Sequence, residues 1–322
     1  MHGPRGKIAS AAVNGDTLIT GDLDGSIIQW DLSALERRAY IPMAPGGGFS
    51  NAVCRTRILA GTLEGTLNVV DWPAFTLNSQ RSAEGFSAMA ISADGRRAIT
   101  GVYFKDAGLL WNLESELPPV PLNVGGSGLR AAALSADGRL AVTGSGKGRV
   151  GIWALDRVEL LREMHEHSGP IISVAIGLNN RTAITGSRDG TARIWDMANG
   201  CQLHLLAAHP GIVQQVAISD AIAVTISTDQ VLRVWNAEDG TPIANIPTGS
   251  TLVNCLSLSP DGKIAAIGDD SHNVQLFDLH TCARIARFQS ETEITALAFA
   301  EDGNEVYAAS STGFAYSLRI MV

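Results

Sequence analysis

The stretch that decides the fold runs from His167 to Met197 and reads HSGPIISVAIGLNNRTAITGSRDGTARIWDM. Turn residues separate three short runs rich in apolar and β-branched residues: Ile171 to Ile176, Thr182 to Ser187 and Thr191 to Trp195. Asp189-Gly190 supplies the positive φ angles that a tight hairpin needs and that a β-branched residue could not adopt. A fourth run, Gln202 to Leu206, follows. The segment therefore predicts one antiparallel sheet of four strands.

The same pattern recurs along the chain at steps of 40 to 42 residues. Each copy closes its third run on an aromatic or bulky residue: Trp30, Val70, Trp111, Trp153, Trp195, Trp235, Phe277 and Leu318. A fixed period of this length indicates a repeat architecture, and the period-2 strands exclude a helical solenoid. The predicted units span residues 8–42, 49–78, 86–123, 129–164, 170–206, 211–246, 252–288 and 293–322.

Three features of these units resemble the WD40 family. They are a Trp-Asp pair that ends the third strand, a His four residues before the leading apolar residue of the first strand, and turns that read SADG or SPDG. The resemblance implies a β-propeller, in which four-stranded sheets called blades pack radially around a channel. We predict an all-β chain with a single domain over residues 1–322, an eight-bladed WD40-type β-propeller of four-stranded antiparallel sheets.

Seven blades plus an extra unit is the alternative. Eight is favoured because all eight units have the same length, and an unpaired sheet would expose two apolar faces. The eighth unit has no run left for a fourth strand, which the N-terminal segment usually supplies in WD40 proteins. Residues 1–7 contain Gly3, Pro4 and Gly6, which are poor strand residues. A three-stranded last blade, a weak strand from residues 2–7, and a chain that is a fragment of a longer protein all stay open.

Two units match the four-residue structural tetrad of the family. The matching residues are His167, Thr185, Asp189 and Trp195, and then His209, Thr225, Asp229 and Trp235. A His, a Thr and an Asp together also suggest a catalytic triad, but an enzyme rarely needs two copies of one site in adjacent blades. A buried indole N–H must instead be satisfied, and a hydroxyl, an imidazole and a carboxylate form a network that does so. We interpret both sets as structural, and predict no catalytic residue and no enzyme.

Other units depart from the tetrad. The first has Pro4 in place of the His, and the fourth has Gly125 and Lys147 in place of the His and the Asp. The four positions of the seventh unit hold Gly249, Ile267, Ser271 and Phe277. We therefore expect no polar network in the seventh blade, and expect apolar packing to hold it together.

Composition and charge limit the classes of partner. The net charge is −8, with 45% apolar and 17% charged residues and no basic stripe, so we predict no nucleic-acid partner. No run approaches about 18 consecutive apolar residues, and the start lacks the apolar stretch of a signal peptide, so we predict no membrane partner. The four cysteines have no CxxC spacing, which favours free thiols and a cytoplasmic location.

Two motifs that suggest small ligands fail on context. Gly144 to Gly148 is similar to a phosphate-binding loop, but no helix follows it. His165 and His167 could suggest a metal, but His167 already belongs to a tetrad. We predict no metal and no cofactor.

In WD40 proteins, partners usually bind the end that carries the outer-to-first-strand loops and the second hairpins. Two positions of each blade commonly point there, and alignment places at them Ser87, Arg130, Ile172, Gln214, Asn254 and Thr295, and then Leu23, Leu63, Gly146, Arg188, Thr228, Asp270 and Ser311. Arg130 and Arg188 are of most interest, because an Arg can bind a carboxylate or phosphate through two parallel hydrogen bonds. The alternative is that both are solvated or paired to a nearby acid.

The second hairpin of the third unit carries one extra residue and places Tyr103 and Phe104 at its tip. Aromatic side chains dominate binding hot spots, so we add both to the predicted contact residues. The alternative is that Tyr103 packs back on the second blade.

Taken together, these features predict a non-catalytic scaffold that binds a protein or peptide on the propeller face, as a monomer or as a subunit of a complex. The alternative is a sensory or autoinhibitory WD40 domain of a larger signalling protein.

Overall fold

A computed structural model of the chain describes residues 8–14, 17–22, 26–34, 36–42, 48–54, 56–62, 65–72, 74–82, 86–102, 105–125, 127–177, 179–207, 209–250, 252–300, 302–312 and 314–320. Every helix or strand within these ranges is a β-strand. This agrees with the composition of the runs, because β-branched residues favour a pleated, half-buried surface and Asp-Gly pairs favour turns. The strands belong to two compact units, residues 87–252 and residues 1–86 with 253–322.

The strands of the first unit are β9 (Phe86–Ile91), β10 (Arg97–Val102), β11 (Ala107–Asn112), β12 (Val120–Asn123), β13 (Leu129–Leu134), β14 (Leu140–Ser145), β15 (Val150–Ala154), β16 (Glu159–Met164), β17 (Ile171–Ile176), β18 (Thr182–Ser187), β19 (Ala192–Asp196), β20 (Gln202–Leu206), β21 (Val213–Ile218), β22 (Ile222–Ser227), β23 (Val231–Asn236) and β24 (Pro242–Pro247). They form four antiparallel sheets in chain order, which we call blades 3 to 6.

The strands of the second unit are β1 (Ile8–Asn14), β2 (Thr17–Asp22), β3 (Ile27–Asp31), β4 (Glu36–Ile41), β5 (Gly48–Val53), β6 (Arg57–Thr62), β7 (Thr66–Asp71), β8 (Thr76–Ser82), β25 (Val253–Leu258), β26 (Ile264–Asp269), β27 (Asn273–Asp278), β28 (Ala283–Gln289), β29 (Ile294–Phe299), β30 (Glu305–Ser310) and β31 (Ala315–Arg319). They form blades 1, 2, 7 and 8.

Each blade is a meander in which neighbouring strands pair antiparallel. Blades 1 to 7 have four strands, and blade 8 has three within the described residues, as one of the three possibilities predicted. A weak strand from residues 2–7 lies outside the described residues. The prediction of one domain stays a prediction.

A β-bulge interrupts the first strand of most blades. In blade 5 the pairing with the second strand skips Ile172, because Ile171 faces Ser187 and Ser173 faces Gly186. The same skip leaves one residue unpaired in six other blades, and in blades 4, 6, 7 and 8 that residue is Arg130, Gln214, Asn254 and Thr295. A bulge redirects the side chain of the extra residue.

Adjacent blades share their hydrophobic cores. Ile184 and Ile194 of blade 5 pack in one cluster with Val213, Ala223 and Trp235 of blade 6. Close packing of this kind also joins blades 3 and 4 and blades 4 and 5.

In the second unit, the last blade packs on the first. Leu18, Ile28 and Trp30 of blade 1 form one buried cluster with Tyr307 and Ala315 of blade 8. Apolar packing against blade 1 therefore stabilises the three-stranded blade 8.

Candidate functional site

The tetrad of blade 5 is a connected network beneath the protein surface. The indole N–H of Trp195 donates to Thr185 Oγ1 at 2.9 Å, and this oxygen lies 2.8 Å from His167 Nε2. His167 Nδ1 lies 2.8 Å from Asp189 Oδ2. The side chain of His167 and the whole of Thr185 are 0% exposed. The hydrogen bonds join the strands and loops that carry these four residues. Because the hydroxyl of Thr185 is buried, a substrate cannot reach it as a nucleophile.

The electrostatics of blade 5 agree with a structural role. Burial lowers the pKa of His167, and the hydrogen bond and charge of Asp189 offset this only in part. Burial acts to raise the pKa of Asp189, but the hydrogen bonds from Thr191 and His167 outweigh it and lower that pKa. At neutral pH the pair is a neutral imidazole that donates from Nδ1 to a carboxylate.

Blade 6 brings together the same four residue types with an added cation. Trp235 donates its indole N–H to Thr225 Oγ1 at 2.9 Å, and His209 Nε2 lies 2.7 Å from that oxygen. A guanidinium N–H of Arg233 contacts His209 Nδ1 at 2.5 Å and Asp229 Oδ2 at 2.6 Å. His209 Nδ1 also lies 3.2 Å from Asp229 Oδ2, so this nitrogen faces both a guanidinium and a carboxylate. Burial and the charge of Arg233 lower the pKa of His209 to about 4.

Three blades that lack the His keep the bond between Trp and Thr. The indole N–H donates to the hydroxyl of Thr20 from Trp30 at 2.9 Å, of Thr100 from Trp111 at 2.9 Å, and of Thr143 from Trp153 at 2.8 Å. The Trp–Thr pair is therefore the part of the network that these blades share.

Blade 7 has a buried polar network of a different kind, so the expectation that it relies on apolar packing is wrong. The carboxylate of Asp269, 0% exposed, accepts the backbone N–H of Asn273 at 2.8 Å and its side-chain amide at 3.2 Å. Gln275 donates to the same carboxylate at 3.4 Å. Arg287 and Arg284 of the outer strand donate to the amide oxygens of Asn273 and Gln275 at 2.9 and 3.0 Å.

The sequence holds a signal for this network that the tetrad pattern does not use. In blades 4, 5, 6 and 8 the second strand ends on a Ser, and Asp269 replaces that Ser in blade 7. A carboxylate at a position that is otherwise a buried hydroxyl requires donors nearby, and the strand that follows supplies them.

The first set of predicted interaction positions lies mostly on bulges and ties blades together. Asn254 donates to the carbonyl of Ile294 in the next blade at 2.9 Å, and Ser87 donates to the carbonyl of Leu129 at 3.1 Å. Thr295 donates to the carbonyl of Ala309 at 3.3 Å within its own blade. Gln214 is buried. The exposed member of these bulges is Arg130.

The second set lies on the hairpins between the second and third strands. Arg188 and Thr228 are exposed, and Asp270 is half-buried with a weak 3.4 Å contact from the Ser271 hydroxyl. Thr228 Oγ1 accepts the backbone N–H of Ile212 at 3.1 Å. Tyr103 and Phe104, like Leu23 and Leu63, lie outside the described residues, so their binding role stays a prediction.

Close backbone contacts join the loops at one end of blades 3 to 6. A methyl group at Gly128 would lie 2.8 Å from the carbonyl oxygen of Lys105, and one at Gly190 would lie 2.8 Å from that of His209. Equivalent contacts link the other loops of this end into one continuous set, and the exposed residues of these loops form a surface. The loops consist of residues 105–106, 127–130, 146–148, 167–169, 188–190, 209–211 and 228. We call this surface the loop end.

Arg130 and Arg188 are the two arginines of the predicted sets, and both lie on the loop end. Both are exposed, and among the residues that the structure describes neither guanidinium has a hydrogen-bond or ion-pair partner. Of the predicted alternative, pairing to a nearby acid is therefore not seen in the described part of the chain, whereas both side chains are open to solvent.

Comparison with known proteins agrees with the repeat and the fold. A family profile described as "WD domain, G-beta repeat" matches residues 158–196, and one described as "Anaphase-promoting complex subunit 4 WD40 domain" matches residues 216–302. The C-terminal WD40 domain of Sif2 superimposes with a TM-score of 0.85 at 18% identity, over 98% of this chain and 97% of that one. The chain is an eight-bladed WD40-type β-propeller.

Three further proteins are similar to this chain over all or part of its length. The computationally designed protein Ika8 has the same fold, with a TM-score of 0.89 at 19% identity over 99% of this chain and 98% of that one. Target of rapamycin complex subunit wat1 of Schizosaccharomyces pombe is 31% identical over 104 residues, which are 31% of this chain and 33% of wat1. Telomerase protein component 1 of Rattus norvegicus is 27% identical over 44% of this chain, and the match spans 6% of that protein.

A cluster that could hold a metal is absent from the described part of the propeller, and one of the four thiols is shielded by burial. No group of three or more His, Cys, Asp or Glu side chains within the described ranges could hold a metal ion. The four cysteines are free, and burial strongly raises the pKa of the Cys255 thiol, which makes it unreactive. Among the residues described, no helix is long and apolar enough to cross a membrane.

Proposed function

We propose that this propeller is a non-catalytic interaction scaffold that binds a protein or peptide on the loop end. The observation that carries the proposal is the pair Arg130 and Arg188, two exposed guanidinium groups without partners among the described residues of one continuous surface. A free guanidinium presents up to five N–H donors, and Arg is enriched at the centres of protein interfaces. WD40 propellers generally act as scaffolds, and wat1 is named as a subunit of a complex.

The buried tetrads support the same proposal from the opposite direction. The His, Thr and Asp side chains that chemistry would require are used internally by blades 5 and 6. Rigid blades that present short loops lose little entropy on binding, which favours recognition. We propose a cytoplasmic location, and four free cysteines, which suit a reducing compartment, support it.

The test is an affinity pull-down of the full chain, with partners quantified by mass spectrometry. Arg130→Ala/Arg188→Ala should lose the partners that the unmodified chain retains. The matched control is Arg139→Ala/Arg181→Ala, which removes two exposed arginines from the opposite end of blades 4 and 5. If the loop-end variant and the control retain the same partners, the proposal is wrong.

The second candidate is a sensory or autoinhibitory domain of a larger signalling protein. The match to 6% of the rat telomerase component supports it, because there the similar segment belongs to a much longer chain. The genomic reading frame around this sequence tests it, and a frame that codes for the propeller alone would exclude it.

A further inference from the structure

A pocket opens on the loop end between blades 3 and 4. Its volume is about 280 Å³, and its lining consists of Ser87, Val102, Lys105, Asp106, Ser127, Gly128, Leu129 and Arg130. Sites for small molecules usually measure roughly 300–1,000 Å³. The pocket therefore lies at the lower limit of this range, a size that suits one side chain of a partner.

The pocket has an apolar base and an exposed Arg130 guanidinium at its rim. Val102 and Leu129 are buried, and the Ser87 hydroxyl donates to the carbonyl of Leu129 at 3.1 Å, which connects the two blades below the pocket. Arg130 is the bulge residue of β13 and is not paired with a residue of β14. Its side chain is exposed. A preorganised base with a free guanidinium at the rim is an arrangement that binds anions well.

The loop that forms the wall has a strained conformation. Ser127 has a φ of 65°, between Gly125 at 63° and Gly128 at 74°. A left-handed conformation is unfavourable for a residue with a β-carbon, and such strain concentrates at ligand-binding positions. A methyl group at Gly146 would lie 2.6 Å from the Ser127 carbonyl and 3.4 Å from Arg130 Nε. The absence of a side chain at residue 146 therefore admits the Ser127 loop, and Arg130 Nε lies within van der Waals distance of the same position.

The charge of the lining favours an anion. Lys105 and Arg130 are cationic, and Asp106 is the acid, with Oδ1 accepting the backbone N–H of Gly128 at 3.1 Å. Two cations and one acid leave a net charge of +1 in a chain whose net charge is −8. Lys105 and Arg130 would repel a cationic group. The same two charges would attract an oxyanion, which could accept hydrogen bonds from Arg130 and from the Ser127 hydroxyl.

We propose that this pocket binds the terminal oxyanion of a short side chain on a peptide partner, a phosphate or a carboxylate, with Arg130 as its main donor. The inference rests on the proposed scaffold function and adds the chemistry of the partner to it. Arg130 binds the oxyanion through two N–H groups, and Lys105 adds a point charge.

The test uses capped amino acids with the full, ¹⁵N-labelled chain. N-acetyl-phosphoserine amide, N-acetyl-glutamate amide and N-acetyl-serine amide present a phosphate, a carboxylate and a neutral hydroxyl. The Arg130 Nε–H resonance, assigned by its loss in Arg130→Ala, should shift saturably with one or both anionic probes and stay unchanged with the serine probe. Saturation with the phosphate probe alone assigns a phosphorylated partner, and saturation with both assigns an acidic one as well.

Two variants separate this geometry from general attraction to positive charge. Arg130→Lys keeps the charge but loses the paired donors, so it should weaken binding at least about tenfold. Arg139→Ala, at the other end of blade 4, should leave the affinity unchanged. An Arg130 resonance that does not saturate with either anion, or equal affinity in Arg130→Lys, would overturn the proposal. The pull-down uses none of these probes, so failure of the pocket and failure of the scaffold function are distinguishable.

Discussion

Replacement of Thr185 by Val tests the tetrad of blade 5 directly. The hydroxyl is fully buried and serves two groups, the indole N–H of Trp195 at 2.9 Å and Nε2 of His167 at 2.8 Å. Valine keeps the shape but removes both hydrogen bonds. Each buried polar group left without a partner costs about 1–3 kcal/mol, so we expect Thr185→Val to lower the free energy of unfolding by about 4 kcal/mol.

Thr143 of blade 4 is the matched control, because no His reaches it. Its hydroxyl accepts the indole N–H of Trp153 at 2.8 Å and donates to the carbonyl of Gly151 at 3.4 Å. Thr143→Val therefore removes one strong bond, and we expect a cost of about 2 kcal/mol. The two variants should differ by about 2 kcal/mol, measured from urea unfolding curves with the slope m held in common. Costs equal to within about 0.5 kcal/mol would refute the claim that the His belongs to the network.

Four further predictions concern the contacts of His209, Asp269 and Gly144. Arg233→Met should raise the pKa of His209 above about 4, because it removes the cation beside Nδ1, and an unchanged NMR titration of that imidazole would contradict this. Because the folded pKa of His209 lies below its ordinary value of 6.5, the unfolding free energy should fall as the pH decreases from 6.5 to about 4, and His209→Gln should flatten this dependence in urea titrations at several pH values. Asp269→Ala should lower the free energy of unfolding by about 3 kcal/mol, since buried donors of blade 7 lose a charged acceptor, and an unaltered urea midpoint would show that they find other partners. Gly144→Ala should cost about 1–3 kcal/mol, because its methyl group would overlap the side chain of Ile171 in the first strand of blade 5, while Gly108→Ala, with its nearest contact at 3.4 Å, should cost less in the same assay.

The repeat and the strand composition were readable from the sequence because they are local. Hairpin turns such as Asp189-Gly190 punctuate runs of apolar residues, and the closing Trp recurs at a fixed step. Thr185 lies ten residues before Trp195, so one hairpin brings the two together and the pattern alone places the bond.

Features that depend on two strands or two blades at once were not readable in this way. The bulge at Arg130 is a property of the pairing between two strands, and nothing in the spacing marks the skipped residue. The bond from Asn254 to Ile294 joins residues 40 positions apart. The contact of Arg233 with His209 adds a cation to a tetrad of the same four residue types as in blade 5, and the spacing of those four residues does not predict it.

Apolar clusters of this protein are shared between neighbouring blades. Ile194 of blade 5 packs in one cluster with residues of blade 6. In the same way, Trp30 of blade 1 packs with Tyr307 of blade 8. We therefore expect an excised 40-residue repeat to be unfolded and prone to aggregation, because its apolar side chains would lose their partners in the adjacent blades. Gain or loss of whole repeats during evolution would have required new matching surfaces on both flanks, which ties the history of each repeat to that of the two beside it.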